Sequence, residues 1–125
     1  MEEKKEIYIQ LEKNEIEPNT EIHGRVGLNY NGRFDTIVIN SQIENSSDVF
    51  TYTQLNGKRI HHPYARLSIL KKDLEGKNII EFIAISHHVP SKDFSKVKFR
   101  TSIIQEHKEV ANDIIFLKIK KNSII

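Results

Sequence analysis

Cysteine and tryptophan are absent from this 125-residue chain. Without cysteine there is no disulfide framework, no thiolate metal site and no cysteine nucleophile, and a reducing compartment is the easiest setting. Glycine is scarce: the five residues, at positions 24, 27, 32, 57 and 76, are scattered and form no phosphate-cradling loop. No serine sits in a Gly-x-Ser-x-Gly elbow. No apolar run approaches the ~20 residues of a membrane helix. The charged start, Met1-Glu2-Glu3-Lys4-Lys5-Glu6, lacks the apolar stretch of a signal peptide, so the expected location is cytoplasmic. Neither sign of charge dominates: the formal net charge is +2 and the signs are interspersed, unlike a strongly basic nucleic-acid binder.

What is plentiful is isoleucine and valine, in alternating runs. β-Branched residues fit a pleated surface better than a helix. The chain therefore reads as almost entirely strands, with one domain over residues 1–125. The run Glu21 to Tyr30 is typical. Ile22, Val26, Leu28 and Tyr30 share one face and Gly24 leaves a gap among them. Ile7, Ile9 and Leu11 mark a strand before it. Asn31-Gly32, after it, spells a tight hairpin turn.

Further strands are expected over Phe34 to Glu44, Val49 to Leu55, Ala65 to Ile69, Ile79 to His88, Val97 to Ile103 and Ile115 to Ile119. Asn56-Gly57 is a second hairpin spelling. Lys58 to Pro63 reads as a loop, and Gln105 to Asp113 as a loop or one helical turn. Ile79 to His88 is apolar on both parities, which suits a central strand covered on both sides. About eight strands at such spacing predict an all-β, antiparallel, two-sheet immunoglobulin-like β-sandwich.

Three stretches resemble the N-terminal domain of the arrestin clan, which includes arrestins, the retromer subunit Vps26 and the sporulation-control protein Spo0M. They are Ile16-Glu17-Pro18-Asn19-Thr20-Glu21-Ile22-His23-Gly24-Arg25-Val26, with Asn19 where the clan favours glycine; Phe82 through Val89-Pro90; and Val97-Lys98-Phe99-Arg100-Thr101-Ser102-Ile103. The resemblance implies an arrestin-like sandwich that acts as a non-enzymatic adaptor or scaffold, docks other proteins and has no catalytic residues.

Two patterns carry candidate binding chemistry. Lys96, Lys98 and Arg100 share one face of a strand, and Lys118 and Lys120 share one face of another. If those strands are neighbours, they form a basic stripe for a phosphorylated or acidic peptide. Lysines that discourage edge-to-edge aggregation are the competing reading. The histidine pairs His61-His62 and His87-His88 raise a metal- or small-ligand-binding alternative, but strand neighbours point to opposite faces and no acidic residue lies at ligand spacing. No cofactor and no metal site is therefore expected. A weak nucleic-acid binder, with Tyr8, Phe50 and Tyr52 as stacking platforms, is a further alternative. A one-domain sandwich must also protect its sheet edges. A homodimer through an edge would do so, with the apolar ending Ile124-Ile125 docked across it.

Overall fold

The computed structural model describes residues 5–121. They form ten strands and one short 3₁₀ turn: β1 (Ile7–Leu11), β2 (Glu15–Ile16), β3 (Glu21–Leu28), β4 (Thr36–Ile43), β5 (Thr51–Leu55), β6 (Lys58–His62), β7 (Arg66–Leu70), the turn Lys71–Leu74, β8 (Ile79–Ile85), β9 (Phe94–Gln105) and β10 (Lys108–Lys120). Two five-stranded sheets face each other. One has the order β1-β3-β8-β5-β6, the other β2-β10-β9-β4-β7. The pairings are antiparallel except the short β2–β10 contact. The all-β two-sheet sandwich read from the alternation is the observed architecture.

The core lies between the sheets and is dominated by isoleucine, including Ile7, Ile22, Ile37, Ile39, Ile43, Ile80 and Ile103, around Phe50, Tyr52, Phe82 and Phe99. Phe82 packs on Tyr52 at 6.0 Å and on Phe99 at 6.0 Å between ring centroids. Such tilted arrangements suit the quadrupoles of the rings. The gap that Gly24 leaves on the inner face of β3 is filled from the next strand. Gly24 and Phe82 are register partners, and a Cβ on Gly24 would lie 2.1 Å from the Phe82 ring.

Several sequence expectations are corrected. Asn31-Gly32 makes no hairpin: β3 and β4 lie in different sheets, and neither residue has positive φ. Asn56-Gly57 does turn β5 into β6, with φ of 49° and 82°. Lys58 to His62 is therefore a strand and not a loop. Gln105 to Asp113 is not a loop or helical turn either. Glu106 and His107, at φ of 49° and 67°, close a long hairpin between β9 and β10. β8 is central in its sheet but not covered on both sides, since Ile79 is exposed and Ile83 and Ile85 are half-buried. The apolar ending Ile124-Ile125, expected to dock across a dimer, lies outside the described residues.

Candidate functional site: a basic and aromatic sheet face

The two rows of cations are brought together. β9 and β10 are neighbours, with Lys96 opposite Lys118, Lys98 opposite Phe116, Arg100 opposite Ile114 and Lys120 opposite Phe94. The alternation that sends Val97, Phe99, Leu117 and Ile119 into the core sends these residues outward. The five candidate residues thus share the outer face of one sheet.

Two lysines directly across a strand pair repel each other. Here each ammonium lies over an aromatic ring of the other strand. Lys96 Nζ is 4.4 Å from the Phe116 ring centre, and Lys118 Nζ is 4.5 Å from that of Phe94. The cation–π contacts cross diagonally and hold both charges close to the sheet. The rings themselves are unusually open for phenylalanine: Phe94 is 43 % and Phe116 48 % exposed, and Ile114 beside them is also exposed.

The ends of the stripe are neutralised. Arg100 donates to Glu109 at 2.6 Å, and Ser102 Oγ donates to the same carboxylate at 2.7 Å. Burial works to raise the Glu109 pKa, but these hydrogen bonds together with the Arg100 charge and Asn112 outweigh it and hold the carboxyl below its usual value. Lys120 pairs with Glu15 of β2 at 3.2 Å. The centre of the face, Lys96, Lys98 and Lys118, is left with excess positive charge among the described residues.

A group that sequence reading missed secures the start of β9. His88, on the connection from β8, lies 2.7 Å from Asp48 through Nδ1 and 2.9 Å from Ser95 Oγ through Nε2. A carboxylate only accepts, so Nδ1 carries a proton; in the neutral ring Nε2 then accepts from the serine hydroxyl. The His88 hydrogen bond, with help from Ser46, lowers the Asp48 pKa below its ordinary 3.8. The order Ser–His–Asp is that of a hydrolase triad. However, Ser95 is 8 % exposed and shares the inward face of β9 with Val97. Its visible role is to pin Phe94 and Lys96 to the loops beneath them. Asp48 lies 40 residues from His88 in the chain, so no local motif announces the group.

The other histidines do not converge. His62 Nε2 donates to the Arg66 carbonyl at 2.6 Å, and His87 bonds the Asn19 side chain. Among the described residues no three His, Asp or Glu side chains could hold a metal ion. Of the proposed stacking platforms, Phe50 and Tyr52 are fully buried in the core. Burial pushes the Tyr52 phenol pKa well above its ordinary value.

No family model and no curated protein matches the chain. Among solved structures, it is similar to a conjugative transposon lipoprotein from Bacteroides eggerthii, with a TM-score of 0.51 over 91 % of this chain and 96 % of that one, at 8 % identity. At that identity the likeness is one of fold alone. Two structures of the human F-spondin reeler domain also align. One has a TM-score of 0.48 at 13 % identity over 94 % of this chain and 89 % of that one; the other has 0.45 at 14 % identity over 94 % and 93 %. The arrestin resemblance is overturned by the lipoprotein likeness: the fold match is to a different sandwich, and no family model supports an arrestin domain. Its stretches are turn-and-strand spellings that sandwiches of many kinds need: Asn19 does take the left-handed conformation, at φ of 65°, but that serves a β-turn and not a family.

Proposed function

We propose that this sandwich is a non-catalytic binding module whose β9–β10 face receives an extended acidic or phosphorylated peptide segment. The observation that carries the reading is the in-register pair Lys96 and Lys118, seated on the crossed rings of Phe116 and Phe94. Like charges set opposite each other on an open sheet face cost stability, and a bound anion would relieve that repulsion. Lysines two apart on a strand are separated by roughly 7 Å, the spacing of alternate side chains on an extended peptide. Acidic groups at every second position of such a segment would meet Lys96 and Lys98 together. The rings favour a peptide over single-stranded nucleic acid, because their faces are already occupied by ammonium groups and not offered to bases.

The test is fluorescence anisotropy with a labelled peptide of alternating glutamates, beside a single-stranded oligonucleotide of equal charge. Saturable, salt-sensitive peptide binding is expected, weakened about tenfold or more by Lys96→Glu with Lys118→Glu. Tighter binding of the oligonucleotide, or peptide binding indifferent to both substitutions, would overturn the reading.

A further inference from the structure

At the opposite end of the sandwich, a cavity of about 550 Å³ opens between the β3–β4 connection and the segment that follows β7. That volume lies within the range that small-molecule sites occupy. Its lining combines three chemistries. Leu28 and Leu74 supply apolar surface, Tyr30 and Phe34 supply rings, and Lys71, Lys77 and three asparagines supply polar groups. No aspartate or glutamate is among the lining residues.

The walls are held by backbone bonds. Leu28 N–H donates to the Asn78 carbonyl at 2.8 Å, Lys71 N–H to the Asp35 carbonyl at 3.0 Å and Lys77 N–H to the Leu74 carbonyl at 2.9 Å. Tyr30 meets Phe34 edge-on at 6.4 Å, and Lys71 Nζ stands 4.9 Å from the Phe34 ring centre. Gly32 explains the Tyr30 position: a Cβ there would lie 2.3 Å from the tyrosine oxygen. The Asn31-Gly32 pair, unused as a hairpin, thus lets an aromatic ring lie across the chain at the cavity mouth. Phe50, Phe82 and Phe99 are buried in the core, whereas Tyr30 and Phe34 are only half-buried.

We propose that this cavity is a binding site for a small acidic sugar of the uronate type. The C–H face of a sugar ring suits Tyr30, its hydroxyls suit the amides of Asn31 and Asn78, and its carboxylate suits Lys71 and Lys77. A purely apolar ligand would use Leu28, Leu74 and the rings and nothing of the lysines and amides. A bare inorganic anion would use the lysines and nothing of the rings. The site is independent of the peptide-binding face, which lies at the other end of β9.

The experiment is an NMR titration of the full chain with D-glucuronate, D-glucose and inorganic phosphate. Saturable shifts at Tyr30, Phe34 and Asn78 are expected for glucuronate, with glucose at least about tenfold weaker. Lys71→Gln with Lys77→Gln is expected to remove the preference for glucuronate over glucose. Gly32→Ala is expected to weaken glucuronate by displacing Tyr30, with the core signals unchanged in both variants. Absence of saturation, equal binding of glucose, equal binding of phosphate, or a preference for glucuronate that survives the double substitution would each overturn the assignment.

Discussion

Two glycines on one strand show how much a single side chain depends on what faces it. Gly24 and Gly27 both lie under aromatic rings, those of Phe82 and Tyr8, and a Cβ on either would lie about 2 Å from ring atoms. The rings differ in freedom. Phe82 is 2 % exposed and wedged between Tyr52 and Phe99, whereas Tyr8 is only half-buried. Gly24→Ala is therefore expected to cost about 1–3 kcal/mol by overpacking. Gly27→Ala, whose ring can swing out, is expected within about 0.5 kcal/mol of neutral. Urea denaturation of the two variants distinguishes these outcomes. Asp48 offers a residue-scale test of pH. Its folded pKa is depressed, so its contribution to stability is present above the ordinary carboxylate pKa and is lost as pH falls through the lower folded value. The Asp48 side chain is 59 % exposed, so solvent screening keeps the effect small. Thermal melts should show Asp48→Asn less stable than the parent near about pH 6, with the gap closing as pH falls below the ordinary carboxylate pKa. A gap that persists in acid would mean that Asp48 acts through something other than its charge.

At the scale of elements, what could be read in advance followed the physics of alternation. β3, β7 and β9 each bury one parity of apolar residues, as does β4 apart from Val38, and their positions were legible. β6 was not, because as an edge strand carrying Lys58, Arg59 and His61 it has little to bury. The β9–β10 turn was missed because Glu106 and His107 are not hairpin residues by type, although both adopt positive φ. Asn31-Gly32 was misread for the converse reason: the local spelling is right, but the chain must cross to the other sheet there. The basic stripe was legible as two rows, since parity is local; that the rows meet depends on strand order, which is not. The turn residues yield a prediction. Left-handed conformation costs a non-glycine residue about 1–2 kcal/mol, and Asn-Gly adopts it readily. Glu106→Asn with His107→Gly is expected to raise stability by about 0.5–1 kcal/mol, seen as a higher Tm. The Glu106 N–H bond to Asp35 at 2.7 Å involves the backbone and survives the change. A lower Tm would mean that the native side chains contribute contacts that outweigh the backbone strain.

At the scale of the whole molecule, the problem is how two sheets with four edges remain a single body. Asp113 addresses one of them. It lies on β10 in one sheet, yet its carboxylate accepts the Ile9 N–H of edge strand β1 in the other sheet at 2.9 Å, and the Lys5 ammonium at 2.8 Å. The side chain is 11 % exposed, so these are sheltered, charge-assisted bonds across the seam of the sandwich. His62 links the other flank, where β6 and β7 end their respective sheets, through the Arg66 carbonyl. An edge strand with unpaired N–H groups is a template for another chain. Removing the Asp113 carboxylate frees such a group on β1 and also leaves Lys5 without its partner. Asp113→Ala is accordingly expected to lose about 1.5–3 kcal/mol of stability. Light scattering over a range of protein concentrations is expected to show a larger and more concentration-dependent mass for this variant than for the parent. If the mass is unchanged while stability falls, β1 is protected by its own twist and short length, and Asp113 holds the sheets together without guarding the edge.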